Sequence, residues 1–146
     1  MYTEQLTQAL ALCAPVNPQV VNNTNKTAGP IDMQAARRAL FVLEIGAVTG
    51  GGAITAQLVE SNASDLSGAT NLAGSNTSLA GLNTANKQYT FEARAGQMTK
   101  RYLGLKVTET GSQNVNVCVI GFGAEAIHKP GSAQNAASVN TQNVVS

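Results

Sequence analysis

The sequence contains no tryptophan and few charged residues. Of its 146 residues only 12% are charged, and tyrosine and phenylalanine occur three times each. This charged fraction is about half of the usual share in a soluble domain, so asparagine, glutamine, serine and threonine must provide most of the polar surface. The core must be aliphatic. The net charge of +1 gives no long-range field, which argues against direct binding of nucleic acid.

Residues that enzymes and metal sites commonly require are also scarce. The single histidine, His128, stands at the start of a polar tail, where no second group is predicted to orient it. The only aspartates are Asp32 and Asp65, which is too few for a calcium loop, and no Cys/His cluster has the spacing of a zinc site. We therefore expect no enzymatic activity, no cofactor and no metal. A pair of glutamates could still form a glycosidase-like site, but we expect each to be solvated or ion-paired: Glu44, Glu60, Glu92 and Glu109.

Two cysteines are too few for a disulfide framework. Cys118 alternates with valines, which predicts a small buried side chain. The N-terminus has no basic region and carries Glu4 and Pro15, unlike a secretory signal, and no segment has the roughly 20 apolar residues of a membrane span.

The first 30 residues predict a helix followed by an extended arm. In residues 1–14, apolar side chains at helical spacing form one stripe, and Pro15 ends the helix. Such a short helix is marginal alone and must lie on the domain or on a neighbour. The asparagine-rich segment 16–30 predicts an extended arm with at most one edge strand.

Residues 31–127 predict an all-β domain. The run 40–45 indicates a central strand, and the glycines at 50–52 followed by the alternating segment 53–61 predict a β-hairpin. The low-complexity segment 62–87 predicts loops with one or two short strands. Three more strands are predicted near 89–94, 102–109 and 115–122, a spacing typical of a sandwich or barrel. The remaining residues, 128–146, form a polar C-terminal tail that we expect a partner to order.

Two dibasic pairs each stand immediately before a strong strand: Arg37-Arg38 and Lys100-Arg101. Arginine is enriched at the residues that dominate protein–protein binding energy, so these pairs are candidate interface anchors. The alternative is that they are solvated or pair with Glu44 and Glu92 across neighbouring strands.

The order of these strands resembles that in capsid cement (decoration) proteins of tailed bacteriophages. The similarity covers residues 30–123 and rests on the strand with Arg-Arg-Ala-Leu-Phe-Val-Leu-Glu-Ile-Gly-Ala-Val-Thr from 37, the segment Ala-Gln-Leu-Val-Glu-Ser, the Lys-Arg-Tyr-Leu strand from 100, and the closing strand from 115. Residues 62–66 replace the Ser-Asp-Asp-Gly-Ser turn and tryptophan that often follow in that family, and the terminal arms are longer. The resemblance implies a jelly-roll-like β-sandwich on the outside of a shell of HK97-fold major capsid protein, and implies no catalytic or metal residues.

The sequence therefore predicts a virion protein that is made in the host cytoplasm and bridges neighbouring major capsid subunits on the outer face of the capsid. We expect a homodimer, the commonest closed arrangement, with a trimer as the alternative, and no contact with a membrane. The candidate interface residues are Leu6, Leu10, Arg37, Arg38, Lys100, Arg101, Lys129, Val139, Val144 and Val145. Two alternatives remain: a carbohydrate- or receptor-binding sandwich, for which few aromatic residues are available, and a head–tail or tail structural protein.

Overall fold

A computed structural model describes residues 6–50, 53–74, 77–111, 114–127 and 135–138. Within these residues the fold is all-β, with ten strands, one turn of α-helix, α1 (Leu6–Ala9), and one 3-10 turn (Ala95–Gln97). The strands are β1 (Leu10–Leu12), β2 (Val16–Val21), β3 (Asn25–Asp32), β4 (Ala36–Thr49), β5 (Ala53–Ser61), β6 (Thr70–Asn71), β7 (Ser78–Leu82), β8 (Lys87–Arg94), β9 (Tyr102–Thr110) and β10 (Asn114–Ala126).

The strands form two antiparallel sheets. Sheet I has the order β1-β10-β4-β8, with β2 also paired to β10. Sheet II has the order β3-β9-β5-β6, with β7 also paired to β5. Strand pairs distant in sequence dominate both sheets, because β10 lies beside β4 and β9 lies beside both β3 and β5.

One core fills the space between the two sheets, and it is mainly aliphatic but includes Phe41 and Phe91. Alternate residues of each long strand point inward, as period-2 patterning requires. The predicted inward positions Leu43 and Val117 are 0% and 2% exposed. The predicted alternation in β5 and β9 is confirmed as well, since the following side chains are all buried: Ile54, Ala56, Leu58, Leu103, Leu105 and Val107.

The predicted helix over residues 1–14 is wrong from Leu10 onward, and residues 1–5 lie outside the described residues. Among the described residues only Leu6–Ala9 is helical, and Leu10–Leu12 forms β1 against β10. An amphipathic helix of this length gains little from its own hydrogen bonds, whereas strand β1 pairs along an existing sheet. The predicted extended arm contributes two strands, β2 and β3, instead of at most one.

The predicted β4–β5 hairpin is also wrong. Strand β4 pairs with β10 and β8 in sheet I, whereas β5 pairs with β9, β6 and β7 in sheet II. The connection after Gly50, whose φ is +107°, therefore passes from one sheet to the other. Glycines mark a change of chain direction, but they do not specify which strand becomes the partner. The short strands β6 and β7 agree with the strands predicted between 62 and 87.

Candidate interaction surfaces

The fold brings the two dibasic pairs to one end of the sandwich. The turn 33–35 joins β3 to β4, and residues 95–101 join β8 to β9. The two connections meet where the Met33 N–H donates to the carbonyl oxygen of Arg101, at 3.0 Å. Arg94, at the end of β8, is the Cα partner of Arg38. Five of the nine Lys and Arg residues of the chain lie here, a region we name the basic end: Arg37, Arg38, Arg94, Lys100 and Arg101.

Arg101 is held by an intramolecular ion pair. Its Nη2 lies 2.6 Å from Oδ2 of Asp32, and its Nε donates to both carboxylate oxygens at 3.1 and 3.2 Å. Its guanidinium also lies 5.0 Å from the centre of the Tyr102 ring, within the range of a cation–π contact. The hydrogen bonds from Arg101 lower the pKa of Asp32. Much of the binding capacity of Arg101 is therefore used inside the protein.

Lys100 is positioned by the buried carboxylate of Glu60. The backbone N–H groups of Thr99 and Lys100 donate to Oε2 of Glu60 at 2.8 and 3.1 Å, and the Thr99 hydroxyl donates to Oε1 at 2.6 Å. Burial raises the pKa of Glu60, but these hydrogen bonds outweigh that effect and the pKa falls below its ordinary value. The Lys100 ammonium donates to Oγ1 of Thr70 at 2.8 Å.

Arg38 and Arg37 differ in their partners. Arg38 lies 3.4 Å from Glu92 and 3.5 Å from Glu125 on the two neighbouring strands, so it has one of the partners that the alternative interpretation predicted. Glu44, the other predicted partner, instead accepts a hydrogen bond from Gln88. Arg37 is exposed and has no ion pair or side-chain hydrogen bond within the described part of the chain.

The apolar interface candidates are scattered. Leu6 is 76% exposed on α1, whereas Leu10 is half-buried in β1. Lys129, Val139, Val144 and Val145 lie outside the described residues.

A short described piece of the C-terminal tail contacts the free edge of β1. The Leu12 N–H donates to Oδ1 of Asn135 at 2.8 Å, and the Ala136 N–H donates to the Leu12 carbonyl at 2.7 Å.

The prediction that the glutamates are solvated or ion-paired is wrong for two of them. Glu60 and Glu109 are 4% and 1% exposed. Glu109 accepts a hydrogen bond from the Asn23 N–H through Oε2, and its Oε1 has no partner among the described residues. Across the β5–β9 pair Glu109 lies level with Ile54, which is six residues from Glu60 along β5. Six residues of strand span about 20 Å, well beyond the roughly 5–9.5 Å that separates glycosidase carboxylates.

The sequence analysis missed an apolar patch on the outer face of sheet I. It consists of Leu40 and Val42 on β4 and Ile120 and Phe122 on β10, where Leu40 pairs with Phe122 and Val42 with Ile120. Leu40 and Ile120 are 37% and 40% exposed. The sequence could have indicated this patch, because β4 and β10 contain continuous apolar runs without polar alternation. Such runs are typical of strands that are buried on both faces.

A groove of about 490 Å³ lies beside the apolar patch on the same face. Glu44, Gln88, Lys87, Asn116 and Cys118 contribute polar walls, and Gly46 leaves the floor without a side chain. The predicted burial of Cys118 is wrong, since it is half-buried and points outward between the inward-facing valines. Partial burial and the nearby Glu44 carboxylate raise its pKa. Cys13 is the buried cysteine, and burial raises its pKa to about 11.

Within the described residues there is no group of three or more His, Cys, Asp or Glu side chains that could hold a metal ion. None of the described helices is long and apolar enough to cross a membrane. No protein-family model matches the chain, and no curated protein is significantly similar to it.

Proposed function

We propose that this chain is a structural virion protein that binds the outer face of a tailed-phage capsid and bridges neighbouring HK97-fold capsid subunits. In this proposal it has no catalytic role, it acts as a homodimer, and its binding energy comes from protein–protein contacts. The resemblance of residues 30–123 to cement proteins motivates the proposal, and two structural features support it.

The first feature is the strand order. Sheet I contains β2-β10-β4-β8 and sheet II contains β3-β9-β5-β7. Numbered as eight successive strands, this order supports our proposal that the fold is a double-sheet jelly roll, an architecture found in viral capsid and lectin domains. A fold of this type supports a virion role and also supports the carbohydrate-binding alternative, so the fold does not decide between them.

The observation that carries the proposal is the basic end. Five cations are gathered there in a chain with a net charge of only +1. Arg37 is exposed and has no ion pair within the described residues, so its guanidinium is available to an external carboxylate. An arginine–carboxylate contact is directional and can be bidentate. Because a shell repeats each contact many times, modest contacts of this kind suffice when one protein engages several subunits.

A binding assay on phage heads tests the proposal. Purified protein is mixed with expanded, emptied heads of the phage that carries its gene, and bound copies per major capsid subunit are counted after sedimentation. We expect saturable binding that falls at least about fivefold in affinity for Arg37→Ala, because the anchor is lost. Lys106→Ala, a change to a cation on the outer face of sheet II, is the matched control and should bind normally. Absence of saturable binding by the unchanged protein would overturn the proposed function.

A second candidate function is carbohydrate or receptor binding, which the polar groove beside Glu44 favours. Carboxylate, amide and ammonium groups line it, and these hydrogen-bond well to sugar hydroxyls. No aromatic side chain lines the groove within the described part of the chain, although stacking on sugar rings is a usual source of affinity. A glycan array separates the two functions: binding that disappears in Gln88→Ala would favour the second one.

A further inference from the structure

We propose that the outer face of sheet I is the homodimer interface, in which Arg38 of each copy enters the groove beside Glu44 of the other. This inference deepens the homodimer component of the proposed function. Dimerisation is measured in solution without a capsid. A monomeric protein could therefore still bind heads, and a dimeric protein could fail to bind them, so the two proposals can fail separately.

The first argument is that sheet I is built to be covered on both faces. In β4 the residues from Ala39 to Leu43 are all apolar, and in β10 the run from Val117 to Phe122 contains only Cys118 and Gly121 besides large apolar residues. Such continuous runs belong to strands with both faces buried. The inner face packs in the core, whereas none of the described segments covers the apolar patch, which leaves Leu40 and Ile120 exposed.

The second argument is that this face is self-complementary in charge. Arg38 and Arg94 are cross-strand partners at one end of the patch, and Glu44 and Gln88 are partners at the other end. Glu92 and Glu125 lie 3.4 and 3.5 Å from Arg38 at the first end, so the interface exchanges exposed ion pairs within one copy for a pair with Glu44 of the second copy. Phe41 lies midway between Arg38 and Glu44, three residues from each. A two-fold axis placed between two such faces, perpendicular to the strands and level with Phe41, lays each β4 antiparallel over the other. Arg38 then stands opposite Glu44 of the second copy at two equivalent places.

The alternative two-fold axis, parallel to the strands, lacks this pairing. It would exchange β4 with β10 and place Arg38 opposite Ala124 of the second copy, since these two residues are partners in sheet I. Glu44 would then face Cys118. Only the perpendicular axis brings opposite charges together while keeping the apolar patches in contact.

The groove provides the space that this arrangement needs. Packed sheets lie about 10 Å apart, and a long arginine side chain directed at a flat, filled face would hold them further apart. Beside Glu44 the face has a depression of about 490 Å³, and Gly46 lines it without a side chain. The Arg38 guanidinium is already close to the surface, with its side chain 40% exposed and with long contacts to Glu92 and Glu125. It can reach a carboxylate of another molecule without breaking a buried contact.

Two charge-reversal variants of the full chain test the interface. In Arg38→Glu, positions 38 and 44 are both acidic, and in Glu44→Arg both are basic, so each variant alone repels itself across the proposed axis. We expect sedimentation equilibrium to show a dimer for the unchanged protein and at least about a tenfold weaker dimer for each variant. An equimolar mixture of the two variants should regain the dimer as a heterodimer, since both contacts become Glu–Arg pairs.

A patch variant and a control complete the experiment. Ile120→Asp places a carboxylate in the apolar patch without touching the core, so circular dichroism should be unchanged and the protein should be monomeric. Lys106→Glu reverses a charge on the outer face of sheet II and should leave the dimer intact. A monomeric unchanged protein would overturn the inference. In that case, a dimer that appears on deletion of residues 128–146 would show that these residues cover the patch. Loss of head binding in Ile120→Asp would instead show that the capsid protein covers it. A mixture of the charge variants that stays monomeric would overturn the axis.

Discussion

Apolar residues on the outer faces of the two sheets differ in their exposure to solvent. On sheet II, Val59 points outward but is only 3% exposed, and Leu66 of the loop 62–69 lies over Gly104, the Cα partner of Val59. On sheet I, Leu40 and Ile120 also point outward and are more than a third exposed. Among the described residues, a loop thus covers the outer face of sheet II at Val59 and no loop covers the apolar patch of sheet I. An apolar side chain on the outer face of a sheet therefore indicates a binding partner only where no loop of the same chain packs on it.

The largest expected effect on stability comes from a substitution on the inner face of β4, compared with the same substitution on its outer face. Leu43→Asp buries an unpaired carboxylate in the core, which costs at least about 5 kcal/mol, comparable to the whole stability of a small domain. We expect this variant not to fold, as judged by circular dichroism and solubility. The matched change Leu40→Asp, three residues earlier on the outer face, should fold normally. A folded Leu43→Asp protein would mean that the inner and outer faces of β4 are exchanged.

The covered face of sheet II can be disrupted at Gly104. A Cβ atom at this position would lie 2.6 Å from Cδ1 of Leu66 and 2.8 Å from the carbonyl oxygen of Ala28. Gly104→Ala should therefore lower the free energy of unfolding by about 2–3 kcal/mol, measured by urea titration. In a Leu66→Ala background the added cost should be smaller, because one of the two obstructing atoms is gone. Strictly additive effects would show that Leu66 does not lie on this face.

Acidification should weaken sheet II at the basic end. Asp32 is the last residue of β3, and Glu60 lies next to the end of β5. The pKa of each carboxyl group is lowered in the folded protein. A carboxyl group with a lowered folded pKa stabilises the protein above its unfolded pKa, and this stabilisation is lost as the pH falls through the folded value. Stability should therefore drop below about pH 4. Glu60→Gln should cost about 2 kcal/mol at pH 7, because hydrogen bonds to a neutral amide are weaker than those to the carboxylate. It should also flatten that pH dependence, because the amide does not titrate. An unchanged acid profile in the variant would exclude Glu60 as a contributor.

The sequence contained enough information to predict the inner face of the sandwich, but not its strand pairing. Alternation in β5, β9 and β10 identified the buried residues because the period of a strand is local. The β4–β5 hairpin prediction failed because β4 pairs with β10 through residues that lie 65 to 90 positions apart in the sequence. The N-terminal helix prediction failed for the same reason, since the segment 10–12 pairs with residues 122–124.

The candidate interface could be predicted only in part. The dibasic pairs were recognisable from their positions before strands, but the partners of Arg101 and Arg38 depend on which strands are neighbours. The apolar patch was visible in the runs around Phe41 and Gly121. However, continuous runs do not tell a core-facing side chain from an outward one until the register is known. The C-terminal candidates from Lys129 onward stay predictions.

The smallest expected effect is a difference in the rates at which the two cysteines react with a thiol reagent. This difference is the most direct test of whether the outer face of sheet I is accessible. Cys118 lies half-buried on the open face of sheet I, whereas Cys13 is buried and its pKa is raised to about 11. Because the thiolate is the reactive form, a thiol reagent at pH 8 should modify Cys118 well before Cys13 in the folded protein. Both should react at similar rates in urea, which provides the control. Mass spectrometry of the labelled peptides gives the two rates. Faster labelling of Cys13 would place Cys118 in the core, shift β10 by one residue and turn Val117 and Val119 outward. If the sheet I faces of two copies meet, labelling of Cys118 should also slow as protein concentration rises, while the rate for Cys13 stays constant.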